Sequence, residues 1–221
     1  MSEYRVFHDG LALPARVAGH PALEFCNTLA GWDIPPGRDY LTDYDHLAVW
    51  VSYAELLPTD HVARLRMASE RRPQEAASAL QRARQVRANL YEVLTDKASG
   101  RAFNELTDEI QTAAAHLRLR RRDGKVVRQI DPNAGLDAPV LAALWSASEL
   151  LISADLERVR ACPGQGCGWL FLDRSKRRRW CAMATCGNRA KARRHAERIR
   201  RQERAGFSRP LSIEQPMRDP R

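Results

Sequence analysis

Four of the five cysteines fall within 25 positions, as Cys162-x4-Cys167 and, thirteen residues on, Cys181-x4-Cys186. Each pair can fold as a tight turn that offers two sulfurs from one side, the donor set of a tetrahedral metal site. Pro163-Gly164, Gly166, Gly168 and Gly187 suit such turns. Four cysteines would also hold an iron–sulfur cluster, but the symmetric pairing suits structural zinc better. One zinc ion per chain is expected, held by four thiolates. A closed set of four sulfurs leaves no coordination position for a substrate, so no catalysis at the metal is expected. A segment of about 45 residues buries too little apolar surface to fold alone, and metal binding would supply the deficit. Trp169, Leu170, Phe171 and Trp180 would form its small core. Cys26 stands alone in an apolar stripe and reads as an inert core residue.

Charge divides the chain in the same place. Of 36 Lys and Arg, 16 lie between Arg158 and Arg209 against three acids there, a local net of +13. The remaining 20 face 24 of the 27 acids, leaving the rest of the chain at −4. A mildly acidic body with a strongly basic C-terminal quarter points to a polyanionic partner, most often nucleic acid. A helix is expected from about Asn188 to Ala205. At 100° per residue, Arg189, Arg193, Arg200 and Arg204 share a sector of about 60°, with Arg194, Arg198 and Arg201 on the neighbouring arc. Arginine's planar fork pairs bidentately with phosphate and with guanine edges. These residues, with Lys191 and the loop residues Lys176, Arg177, Arg178 and Arg179, are the expected DNA contacts. Arg189 or Arg193, in the first turns, is the candidate for base reading. The face of Ala192, His195, Ala196 and Ile199 is expected to pack on the metal knuckle and the first domain.

The elements that must position this chemistry come before it. A short helix is expected over His20–Ala30, then a loop through Pro35-Pro36-Gly37. Helices follow at about Tyr44–Leu57, capped by Thr42 or Asp43, then Thr59–Glu70, Pro73–Ala98 and Phe103–Ala115. His116–Ile130 alternates, and its Asp123-Gly124 marks a β-hairpin. A mostly apolar helix from Pro139 to Arg158 should be central to the first core. The opening stretch to Gly19 does not decide between strand and loop. The expected class is α+β: a mostly helical domain over 1–157 with a hairpin, a zinc module with its basic helix over 158–206, and a frayed tail over 207–221. The first domain is expected to fold without the finger, since it holds complete apolar stripes and Trp32, Trp50 and Trp145.

Cys186-Gly187-Asn188-Arg189, preceded by Trp180-Cys181-x-Met183 and followed by Ala190-Lys191-Ala192-Arg193-Arg194, resembles the CGNR zinc finger of bacterial proteins. Phe171-x-Asp173-x-Ser175 fits the same pattern. Leu23-Glu24-Phe25-Cys26-Asn27-Thr28-Leu29 resembles the start of the ABATE domain that usually precedes this finger. The resemblance covers nearly the whole chain and implies a stress-linked transcription regulator.

No phosphate-binding glycine loop, nucleophile elbow or catalytic triad pattern is present in the sequence, so an enzyme is not expected. No uncharged run exceeds the 12 residues from Ala161 to Leu172, which excludes a membrane-spanning helix of ~20 apolar residues. Glu3, Arg5 and Asp9 stand where an export signal would be apolar, so the expected location is cytoplasmic, on the nucleoid. The expected partner is double-stranded DNA. The first domain is expected to sense a small-molecule effector or to self-associate as a homodimer. Glu24 and Asn27 are its candidate pocket residues; with Asp33 and Asp43 they read equally well as caps and turn partners. Two rivals stand beside this reading: a small-molecule-binding protein or enzyme with a purely structural finger, and an RNA-binding protein. The latter would gain if two of Trp169, Phe171 and Trp180, here assigned to the finger's core, were exposed beside the arginines for base stacking.

Overall fold

The computed structural model describes residues 5–34, 37–95, 100–122 and 124–207, without the side chains of 122, 132 and 203–207. The expected tail over 208–221, the Pro35-Pro36 corner, the end of the third long helix at Ala98, Asp123 of the hairpin turn and the Arg204 side chain lie outside the described residues.

The undecided opening is a hairpin. β1 (Arg5–His8) pairs antiparallel with β2 (Leu11–Pro14) across Asp9 and Gly10, both at positive φ. α1 (Pro21–Cys26) follows, capped by His20, whose Nδ1 accepts from the Ala22 N–H at 3.2 Å. β3 (Leu29–Ala30) and β4 (Arg38–Asp39) form a second ladder. α2 (Tyr44–Tyr53) starts at Asp43, whose side chain accepts the His46 N–H at 2.9 Å, so that cap was legible. The helix stops at Tyr53 rather than Leu57. Glu55 turns at φ +63, and the Leu56 and Leu57 N–H groups fold back onto Val51 O.

α3 (Thr59–Arg71), α4 (Pro73–Leu94) and α5 (Gly100–Ala115) follow, and Gly100 opens α5 instead of closing α4. β5 (Leu117–Arg122) and β6 (Lys125–Ile130) form the expected hairpin. α6 (Ala138–Leu151) is central: ten of its fourteen residues are buried, and it packs on α1, α2, α4 and α5. It ends seven residues short of Arg158, because the chain must straighten into β7 (Val159–Ala161) to pair with β8 (Leu170–Leu172). After a π-helical turn over Met183–Gly187 comes α7 (Asn188–Phe207). Among the described residues the strands form four separate two-stranded antiparallel ladders.

Val159, Leu170 and Leu172 belong to the same buried cluster as α1, α2, α4 and α6. The finger's strands therefore face two ways: these three residues join the first domain's core, while Trp169, Phe171 and Trp180 form the expected small core beside the cysteines, which Leu170 leaves for the large one. Arg87, 3% exposed, grips β4 from α4. It donates to both Asp39 oxygens at 2.7 Å and to Thr28 Oγ1 at 2.9 Å.

Candidate metal centre and nucleic-acid interface

The β7–β8 ladder brings the first two ligands together. Cys162 follows β7 and donates its N–H to Trp169 O at 2.8 Å, while Cys167 closes a turn onto Gly164 O at 3.0 Å. A Cβ on Gly164 would lie 3.0 Å from the Cys186 sulfur, so any side chain there would crowd a metal ligand. The π-turn delivers Cys186 to the same point.

The four sulfurs lie within 4.8 Å of one another and all four residues are buried. Cys181 Sγ is 3.6 Å from Cys186 Sγ and 3.7 Å from Cys167 Sγ. A tetrahedron with Zn–S bonds of ~2.3 Å has edges of about 3.8 Å, so the cluster has the dimensions of one zinc ion. Hydrogen bonds from neighbouring thiols push Cys186 toward the thiolate, and Arg189 adds to the effect. Cys26 is apart and fully buried, and burial pushes its thiol up, as befits an inert residue.

The residues after the last ligand serve the metal. A Cβ on Gly187 would strike the Met183 sulfur. Asn188 Nδ2 donates to Ala184 O at 3.1 Å and closes the π-turn. Arg189 Nη2 donates to Cys186 Sγ at 3.0 Å, and that bond to a thiolate raises the guanidinium further. Donors to coordinating sulfur orient the ligand and spread its charge. Arg189 is therefore turned to the metal ligand, away from the base-reading role expected of it.

The finger is bolted to the helical domain. Asn27 at the end of α1 pairs with β8 like a strand, its Oδ1 accepting Leu170 N–H at 2.8 Å and its Nδ2 donating to Leu170 O at 2.9 Å. Tyr91 OH donates to Gly168 O at 2.8 Å, and its ring stacks on Trp32 at 3.8 Å. Trp169 Nε1 donates to Leu29 O, Gly31 N–H to Cys167 O, and Gly166 N–H to Asp33 Oδ2. Glu24 accepts the Val17, Ala18 and Gly19 N–H groups, and burial raises its carboxyl against the pull of those bonds. Glu24 and Asn27 are thus buried framework residues rather than pocket linings. Their partners are backbone groups, which leaves no polar atom facing a ligand. Asp33 and Asp43 are turn and cap partners, the alternative read from the sequence.

The basic surface also departs from expectation. Ala190 is buried, but Ala192, His195 and Ile199 are exposed and Ala196 is half-buried, so the apolar support of α7 ends with its first turn and Arg193 makes the helix's last contact with the knuckle. The proposed inner face has no partner among the described residues, and His195 is an exposed neighbour of Arg198 rather than a packed histidine. Lys191, Arg193, Arg194, Arg198 and Arg200 are exposed, with Arg193 Nη1 donating to Gln165 Oε1 at 3.0 Å. In the loop, Lys176 and Arg177 are exposed and Arg179 lies over the Trp180 ring. Arg178 is turned inward instead. It covers the Phe171 ring and donates to Val17 O, Trp180 O and Cys181 O, a clamp that its place in a run of arginines hid.

A helical domain seating a closed four-cysteine site of these dimensions defines a zinc-finger protein. Residues 158–199 match the family model of the CGNR zinc finger. Residues 19–155 match that of ABATE, described as "Putative stress-induced transcription regulator". The chain belongs to the ABATE family and carries a CGNR zinc finger after that domain. No curated protein matches the sequence. No helix among the described residues is long and apolar enough to cross a membrane.

Proposed function

We propose that this protein regulates transcription by binding double-stranded DNA, with the zinc knuckle holding the root of α7 and the helix lying along the duplex. One observation carries the reading. Between residues 188 and 202, α7 presents seven Lys and Arg against Glu197, all seven exposed, and past Arg193, which reaches Gln165, it makes no hydrogen bond or ion pair to another element among the described residues. A helix polar all round is held by many internal ion pairs or is not stable alone, and α7 has one described pair, so a polyanionic partner would supply what it lacks. Arg193, Arg198, Arg200 and Lys191 are the proposed contacts, joined by Lys176, Arg177 and Arg179. Arg189 and Arg178 serve the metal site and the domain junction. Arg204 is proposed from its place on the helix alone.

Trp169 and Phe171 are buried, 4% and 1% exposed, which favours duplex over single-stranded RNA that needs stacking platforms. The four sulfurs fill the metal's coordination and leave it a structural role, so the reading is of a non-enzyme. A protein of this function works in the cytoplasm, on the nucleoid. The test is duplex binding across salt. With ~4–6 phosphate contacts, affinity should fall by about a hundredfold or more between ~50 and ~200 mM salt. An Arg193→Ala, Arg198→Ala, Arg200→Ala variant that still holds zinc should lose most of the affinity and flatten the slope. Wild-type affinity in that variant would remove α7 from the interface and favour a purely structural finger.

A further inference from the structure

The β5–β6 hairpin is the other strongly basic element. Residues 117–130 hold six Lys and Arg against Asp123. The register puts Arg118, Arg120 and Lys125 on one face of the ribbon and Arg121 and Arg128 on the other, all of them exposed. Leu119 and Val126, diagonal neighbours between Arg121 and Arg128, are 69% and 62% exposed. Among the described residues Arg121 and Lys125 have no ion-pair partner. At the base of the ribbon an open cleft of about 520 Å³ is lined by Arg120, Arg121 and Arg128, and its one acid, Glu55, is paired with Arg16.

The ribbon and the finger loop are both tied to the chain between Glu149 and Asp155. Arg128 pairs with Glu149, and Arg174 of the finger loop pairs with Asp155 at 2.8 Å. Beyond Arg174 come the exposed Lys176 and Arg177.

We propose that the β5–β6 ribbon is a second duplex contact, laid into the major groove beside the finger. This rests on the DNA-binding reading above. A groove presents a phosphate row on each side, which suits a ribbon with cations on both faces, and the major groove is wide enough to admit two strands. Six residues of strand span ~20 Å, or about six base pairs at 3.4 Å each. The ribbon therefore extends the finger's footprint along the duplex.

The experiment compares wild type, Arg120→Ala/Arg121→Ala/Lys125→Ala and the α7 triple variant, all zinc-loaded, on duplexes of about 10 and about 25 base pairs over a salt series. Wild type should gain affinity with length. The ribbon variant should lose that gain, bind the long duplex about tenfold or more weakly, and show a salt slope flatter by about two to three. Lysine at 120 and 121 should restore much of it, which separates charge from folding. A ribbon variant that matches wild type on the long duplex, while the α7 variant fails, would overturn the ribbon contact alone. No duplex binding by wild type at any length would overturn both readings. With anionic lipid vesicles as a further arm, a ribbon variant that loses vesicle binding but keeps wild-type duplex binding would overturn the ribbon contact in favour of a membrane surface.

Discussion

Arg189 shows how one residue's role depends on which neighbour its guanidinium meets. On a helical wheel it belongs with the other arginines. In three dimensions its Nη2 sits 3.0 Å from Cys186 Sγ. Second-sphere donors to metal ligands contribute about 10–100-fold in metal affinity, so Arg189→Ala should weaken zinc binding by that factor in a chelator competition, with Arg189→Lys intermediate. Equal zinc affinity in the alanine variant would show the contact to be idle. Asn27 makes the companion case. Asn27→Ala would leave the buried Leu170 N–H and C=O without partners, at about 1–3 kcal/mol each. The expected result is a lower urea midpoint at saturating zinc. Asn27→Asp should not rescue it, because a carboxylate cannot donate to Leu170 O. An unchanged midpoint in Asn27→Ala would show that water replaces the side chain.

At the scale of elements, α7 and α6 are opposites. α6 is apolar nearly all round and central, so its ends are set by what surrounds it. α7 is polar nearly all round and supported only at its root, where Ala190 is buried and Arg193 reaches Gln165. Its one described ion pair, Arg193–Glu197 at 4.0 Å, is exposed and contributes little. Repulsion among its arginines should fray the distal turns in low salt, and a polyanion should relieve it. Far-ultraviolet circular dichroism of the whole protein should therefore gain helical signal on addition of duplex, and the gain should vanish at high salt. Helical signal independent of duplex would mean that α7 is already fully formed without a partner.

At the scale of the molecule, one side of the finger's ladder joins the helical domain's core and the other forms a small cluster around the cysteines. Val159, Leu170 and Leu172 pack with residues of α1, α4 and α6, and hydrogen bonds from Asn27, Tyr91, Trp169 and Arg178 cross the junction. A chain ending at residue 157 removes all of these. It should unfold at a clearly lower temperature or without a sharp transition, contrary to the independence its apolar stripes suggest. A truncated chain that melts as sharply and as high as the whole protein would show that the junction adds nothing. Zinc removal should act on both parts in turn, because the metal fixes the ladder that carries Leu170 and Leu172. Protons compete with zinc for the thiolates, so zinc retention should fall as pH is lowered, and the helical domain's melting temperature should fall with it. A melting temperature indifferent to chelation would separate the two.

The sequence by itself determined what is local. The cysteine spacing specified the metal site because each pair closes within a few residues, and Asp43 specified its cap because the donor it accepts from, the His46 N–H, is three residues away. The hairpin at 117–130 followed from alternation and its turn. What depends on distant partners was decided only by the tertiary structure. Asn27 bonds to Leu170, 143 positions on, and nothing within reach of a sequence window marks that pairing. Arg178 and Arg189 look like their neighbours in a run of cations, yet packing turns one onto Phe171 and backbone carbonyls and the other onto a metal ligand. Periodicity drew an inner face on α7 through Ala192, His195 and Ile199. A stripe states only that a helix could be buried there, and burial needs a second surface, which the described residues do not provide.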